Sequence, residues 1–409
     1  MPISEEIMSS VRSAVGGIIQ QPPGGMSAAD SGRAAVGFSA KRFLAALAAV
    51  VGAGVLSIAG ANYFLDPLHF SAPGIRQVAA VLLSGKNYAV FDANMDFRGL
   101  RREAIAQMTR TPDVIVFGGS RFELATPDLF PGKSFYNAFV HNDVFEDLVA
   151  FSGLLHEHKR LPRNLVLTVR FKTFLPIDPV LRETDEFKLF WSEYRSMADR
   201  LGIEKESLLD VVPLGYWSHL LSVDNILRHV SYRLAGKRQG PVDAAAMDDM
   251  DVIHADGSMA FSKEHSASFR TILLSRGVTN MFSSADTIDQ DSEQRAAKMS
   301  KRAGWPVDPR RLEGLGVLLA FLKKEGTHVT IAITPFHPAY WKGSMGSPYG
   351  NSLVSMEERV RAIAANQGAT VVGSLDPDRV GCQASNMRDF IHPDEVCLKK
   401  VFTDIPLKD

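Results

Sequence analysis

The chain has 409 residues, 45% of them hydrophobic, and a formal net charge of −1. That is enough apolar material for one large or two medium cores, and too balanced a charge for a nucleic-acid partner, which would need clustered Lys and Arg on one face. No Gly-rich phosphate loop follows a predicted strand and no dense His/Cys cluster has zinc spacing, so neither a cofactor nor a metal is expected.

Taken in chain order, residues 1–42 combine a Gln-Gln-Pro-Pro-Gly-Gly run at positions 20–25 with many small residues. Such a composition cannot bury a core, and a flexible tail is expected, with a weak amphipathic helix over Ile7 to Ile19. Residues 43–65 carry no charge over about 23 positions, long enough to cross a hydrocarbon layer as a helix at ~1.5 Å per residue. A buried helix of a soluble protein would look similar, and Ala59-Gly60-Ala61 could serve a signal peptidase, although the long leader argues for an uncleaved anchor. Arg33, Lys41 and Arg42 precede the span and only Arg76 follows closely, which predicts a single-pass inner-membrane protein with a cytoplasmic N-terminus and the remainder periplasmic. Residues 66–111 read as a membrane-proximal connector with helical material near Arg102 to Thr109.

From Asp113 the sequence runs Asp-Val-Ile-Val-Phe-Gly-Gly-Ser-Arg. Four apolar β-branched or aromatic residues followed by two glycines predict a strand buried on both faces that ends in a tight turn carrying Ser120. Gly119 would let the backbone bend and a substrate approach its amides. Either Ser120 is a nucleophile at a strand end or it caps a helix. A second strand is expected over Ser134 to Ala138, a helix from Asp143 to Lys159 and a third strand over Asn164 to Val169, a rhythm that implies parallel pairing with right-handed crossovers.

Residues 175–306 break this rhythm. Phe187, Phe190, Trp191 and Tyr194 recur at helical spacing as a packing face, Tyr216 to Tyr232 reads as an amphipathic helix, and Gly240 to Gly257 as an acidic irregular stretch. The insert is expected to form a helical cap or partner surface. The α/β pattern then resumes: a helix opens at Asp308-Pro309, a strand covers His328 to Thr334, a capping box at Ser355-x-x-Glu358 opens another helix closed by Gly368, and Ala369 to Gly373 forms a last strand.

This strand delivers the chain to Asn386-Met-Arg-Asp-Phe-Ile-His-Pro. Asp389 and His392, three apart, can face one side, the carboxylate orienting the imidazole and the imidazole reaching a serine. An apolar strand ending in Gly-x-Ser near the domain start, with Asp-x-x-His near its end, resembles the SGNH (GDSL-type) hydrolases, most closely membrane-anchored members of cell-envelope and exopolysaccharide acyl transfer. The resemblance runs from about Asp113 to the C-terminus. It implies an α/β three-layer sandwich over 112–409 with a mainly parallel sheet, and Ser120 as nucleophile, His392 as general base and Asp389 as its partner.

The sequence departs from the family where a Gly-x-Asn motif would follow the third strand, because Val169 continues into Arg170-Phe171-Lys172. Asn137 at the end of the second strand either supplies the missing oxyanion donor or satisfies backbone groups. Arg121 either positions an acidic or polyhydroxylated substrate or forms a structural ion pair. His337 and Tyr340, after the fourth strand, are candidates for lining the substrate groove. The resemblance thus implies a membrane-anchored serine esterase or O-acyltransferase on acyl, foremost acetyl, esters of an extracytoplasmic glycan. The competing expectation is an inactive scaffold subunit among envelope polysaccharide assembly proteins. The two cysteines, Cys382 and Cys397, bracket the Asp389 to His392 loop, either bridged or as two separate buried thiols.

Overall fold

The computed structural model describes residues 40–65, 72–90, 95–176, 190–204, 221–262, 285–302, 304 and 306–408. The expected helix at Ile7 to Ile19 and the aromatic at Phe187 lie outside them. Helix α1 (Ala40–Leu65) is apolar and long enough, by length and composition, to cross a membrane.

The larger sheet is five parallel strands in the order β3-β2-β4-β8-β9. In chain order the elements are α2 (Ala72–Leu83), β1 (Asn87–Val90), α3 (Phe97–Gln107), β2 (Val114–Phe117), β3 (Phe135–Asn137), α4 (Phe145–Glu157), β4 (Asn164–Val169), α5 (Trp191–Leu201) and α6 (Val223–Leu234). There follow β5 (Gly240–Val242), β6 (Asp251–Ile253), β7 (Met259–Ala260), α7 (Ala285–Ser300), α8 (Pro309–Lys324), β8 (His328–Ile333), α9 (Pro338–Ser344), α10 (Pro348–Gln367), β9 (Thr370–Gly373), α11 (Pro377–Val380) and α12 (Glu395–Phe402).

Every residue of β2 and β4 is buried, as the largely apolar sequences of central parallel strands lead one to expect. Val114 pairs with Phe135 on one side and Asn164 on the other, which fixes β2 between the two strands that follow it in the chain. The winding direction therefore reverses at β2 and β4. Their carboxyl ends flank the crevice in which open α/β sheets hold ligands, and Ser120 lies three residues beyond Phe117. Beneath it Phe117 stacks on Phe151 of α4 with ring centroids 3.9 Å apart.

Several elements differ from expectation. The stretch 66–111 is no mere spacer: Ile75, Val78 and Leu82 of α2 and Leu100 and Ile105 of α3 are buried in the same apolar cluster as the sheet. Gly240 to Gly257 is irregular only in part: β5 and β6 within it pair antiparallel with β1, and β7 just beyond pairs with β6, in a four-stranded sheet of order β5-β1-β6-β7. The described part of the insert is thus not only helical. Ser355 lies inside α10, whose start is Ser347: its hydroxyl accepts from the Gly350 N–H at 3.0 Å and Pro348 occupies the first turn. Asp308 caps α8 and Gly368 closes α10 in the left-handed conformation, as read. Phe190 and Tyr194 pack into the core, and Gly153 of α4 lets Met197 of α5 come close, since an added Cβ would meet its side chain at 2.8 Å.

Candidate active site

Ser120 reaches its position through two glycines. Gly118 has φ +152°, and a Cβ there would collide with Thr168 Oγ1; a Cβ on Gly119 would collide with Asp143 Oδ1. Only glycine lets this turn lie so close to the neighbouring strand and loop. Ser120 then opens a short 3-10 turn, Ser120–Phe122. Among the described residues the backbone N–H groups of Ser120 and Arg121 enter no hydrogen bond, so two donors stand beside the hydroxyl.

The far end of the chain brings the partners. Ser120 Oγ is 3.0 Å from His392 Nε2, and His392 Nδ1 is 2.7 Å from Asp389 Oδ2. The other oxygen of Asp389 accepts from the N–H groups of Ile391 and His392, each at 2.7 Å. Burial pushes the Asp389 carboxyl up. The His392 charge and ring hydrogen bond, together with the two backbone donors, more than offset this and hold it at about 2. Asp389 is therefore ionised and locks the ring with Nε2 toward the serine.

Three devices hold the two chain segments in register. Glu123 on the serine turn ion-pairs with Arg388 on the histidine loop at 2.6 Å. Met387 and Pro393 bridge antiparallel across the base of that loop. Cys382 and Cys397 form a disulfide with Cα atoms 5.3 Å apart, so of the two alternatives for the cysteines the structure has the bridge.

Asn137 is not an oxyanion donor in this arrangement. Its side-chain N–H groups are both donated, to the carbonyls of Phe122 and Ala125 at 2.8 and 3.0 Å, and its carbonyl accepts from the Phe139 N–H. A fully buried amide at a strand end satisfies the backbone it is enclosed by, and here that backbone is the serine turn. His337 likewise does not line a groove. It is buried, its Nδ1 accepts from the Ala339 N–H at the start of α9, and its Nε2 lies 3.1 Å from Asp289. Burial lowers its pKa, with Asp289 and Asp389 opposing, so it acts as a neutral cap.

Tyr340 does line a cavity, of about 240 Å³, together with Phe336, Phe390 and Arg121. Phe390 and Ile391 come from within the Asp389 to His392 loop, and Arg121 adjoins Ser120, so the cavity shares its walls with the serine site. Tyr340 and Tyr349 share a hydrogen bond at 2.9 Å, and burial raises both phenols.

Two buried contacts behind the serine turn escaped sequence reasoning. Arg170, just past the end of β4, pairs with Asp143 at 2.7 Å, directly behind Gly119. Arg101, fully buried, donates to Phe139 O, Tyr136 Oη and Gly257 O. Each links residues at least 27 positions apart, so no local pattern announces it.

No protein-family model matches this chain, and a search of curated proteins finds no match.

Proposed function

We propose that the protein is a serine-dependent acyl-transfer enzyme of the SGNH type, acting on acyl, foremost acetyl, esters of an extracytoplasmic glycan. The observation that carries the reading is the hydrogen-bonded series Ser120 Oγ, His392 Nε2, His392 Nδ1 and Asp389 Oδ2 at 3.0 and 2.7 Å, beside two unengaged backbone donors. Ser120 Oγ attacks the ester carbonyl while His392 Nε2 takes its proton, and Asp389 stabilises the imidazolium. The N–H groups of Ser120 and Arg121 meet the developing oxyanion. Collapse of the adduct expels the sugar alkoxide, which takes the proton back from His392, and leaves the acyl group on Ser120. Water or another sugar hydroxyl then attacks the acyl-enzyme by the same steps in reverse order.

In this reading 112–409 forms a three-layer sandwich around the parallel sheet, α1 anchors it in the inner membrane, and the basic residues before α1 keep the N-terminus cytoplasmic. The disulfide favours an oxidising compartment for the domain. A scaffold subunit of an envelope polysaccharide assembly is the second reading. It draws on the engagement of both Asn137 amide hydrogens and on Arg170 where a third donor would stand.

The test is hydrolysis of 4-nitrophenyl acetate by the full chain in detergent, with covalent capture by a fluorophosphonate. Ser120→Ala is expected to lower turnover by about 10⁴-fold or more and to abolish capture. Capture and turnover unchanged by Ser120→Ala would remove the enzyme reading in favour of the scaffold.

A further inference from the structure

The cavity beside Ser120 has a charge pattern that ester cleavage alone does not require. Arg121, Arg170, Lys172, Arg295, Lys298 and Arg302 all contribute to its wall, and no carboxylate stands among the described residues that line it. Among these cations Arg170 pairs with Asp143 at 2.7 Å and Arg295 with Asp291 at 2.6 Å.

Arg121 is different. It is 7% exposed, its guanidinium lies over the Phe336 ring at 4.8 Å, Nη1 reaches only Thr334 Oγ1 at 3.4 Å, and Nε is buried with no partner. Burial, and then Arg170, lower its pKa to about 10, so it stays a cation at neutral pH. Asp143 and Asp389 support this charge from a distance without hydrogen-bonding it, so the buried guanidinium keeps donor capacity that an anion can fill. The Phe336 face holds the guanidinium on one side, while its remaining N–H donors suit a planar oxyanion such as a carboxylate. Arg295, held over Phe390 at 4.6 Å, repeats the stacked arrangement on another wall.

We propose that the cavity is a subsite for a carboxylate-bearing part of the substrate, with Arg121 as its ion-pair partner and Lys172 and Lys298 drawing it in. The proposal takes its place beside the scissile ester from the acyl-transfer reading above, but its central test does not depend on turnover. The carboxylate has two sources, the glycan ring or the acyl group.

The first arm measures binding by titration calorimetry to the full-length Ser120→Ala chain in detergent, comparing a short galacturonate oligomer with its methyl ester. The second compares hydrolysis of 4-nitrophenyl hemisuccinate and 4-nitrophenyl acetate by the wild-type chain. The acid oligomer should bind at least about 10-fold more tightly than its ester, less so as salt rises, and Arg121→Met should weaken it by about 10- to 100-fold. A hemisuccinate preference that Arg121→Met removes, without binding of the oligomer, would assign the carboxylate to the acyl group and keep the subsite. Because Arg121 is buried, the exposed pair Lys172→Gln and Lys298→Gln provides a second variant, expected to weaken anion binding by about 3- to 10-fold in a chain of unchanged melting temperature.

Equal binding of acid and ester, with no hemisuccinate preference, would overturn the subsite even if 4-nitrophenyl acetate is turned over. Carboxylate-dependent binding by a chain that never turns over an ester would keep the subsite and remove the acyl-transfer reading.

Discussion

Asp389 and Arg121 are both buried charges at the edge of one site, and the protein treats them in opposite ways. Asp389 receives three hydrogen bonds from its own loop, two from backbone N–H groups and one from the His392 ring. Arg121 has one long contact to a threonine hydroxyl and a partnerless Nε. The carboxylate is satisfied within the fold, and its energy goes into holding a ring in one orientation. The guanidinium is left for something from outside. A charge solved internally belongs to the machinery that must not move, and a charge left open belongs to the surface that selects what enters.

The largest expected effect lies on the closed side of this comparison. Asp389→Asn keeps the shape but removes the negative charge and the preference for the reactive tautomer, and should lower turnover of 4-nitrophenyl acetate by about 10⁴-fold. A loss under about 10-fold would mean that His392 is oriented by the loop alone. Next comes the clamp: Cys382→Ser with Cys397→Ser opens a closure of 15 residues and should cost about 3 kcal/mol in chemical denaturation, with a fall in rate as the histidine loop loosens.

Acid should act on the same side. The folded Asp389 carboxyl is held at about 2, below its ordinary value of 3.8. The unfolded chain therefore binds that proton first as pH falls. This contributes stability of about 2 kcal/mol that is complete above pH ~4 and is lost as pH drops toward ~2. Asp389→Asn should flatten that limb in denaturation curves recorded across the window. The smallest effect belongs to the open side: Arg121→Met removes a buried cation that only the more distant Asp143 and Asp389 support, so the melting temperature should hold or rise by the equivalent of about 1 kcal/mol. A clear drop in melting temperature would show that Arg121 is satisfied within the fold after all, and the contrast with Asp389 would disappear.

The sequence made the three side chains of the candidate site legible because each sits on a short local signal. Ser120 follows an apolar run and two glycines, and Asp389 and His392 share one turn. The parallel sheet was legible for the same reason, since β2 is an unbroken apolar run and β4 and β8 are mostly apolar and rich in β-branched residues. What escaped is non-local or too short to have a period. Strands β5, β6 and β7 have two or three residues each, one of them Pro241, and alternation cannot be read over so few positions. Their partner β1 lies some 150 residues earlier, where Tyr88 pairs with Ile253. The start of α10 was misplaced because Ser355 imitates a capping box, whereas Ser347-Pro348 is the pair that the chain uses. The two readings of Asn137, oxyanion donor or partner of the backbone, differ only in where the amide points, which follows from packing around Phe122 and Ala125.

The small antiparallel sheet bears on the order in which the molecule assembles. Its turn at Gly257 lies against Asn137, whose N–H donates to Asp256 O at 2.6 Å, while Met259 N–H donates to Glu123 O at 2.9 Å and Arg101 closes the contact from the other side at 2.9 Å. The strand nearest the N-terminus thus waits, unpaired, until residues beyond 240 exist to join it. Joining them closes a loop of more than a hundred residues, at an entropic cost that grows only slowly with length but delays the event. The serine turn is consequently braced late, by a piece of chain that arrives after the strand bearing the serine has formed. A chain interrupted before β6 would carry Ser120 on an unsupported turn, and the activity proposed for it would appear only with the completed fold.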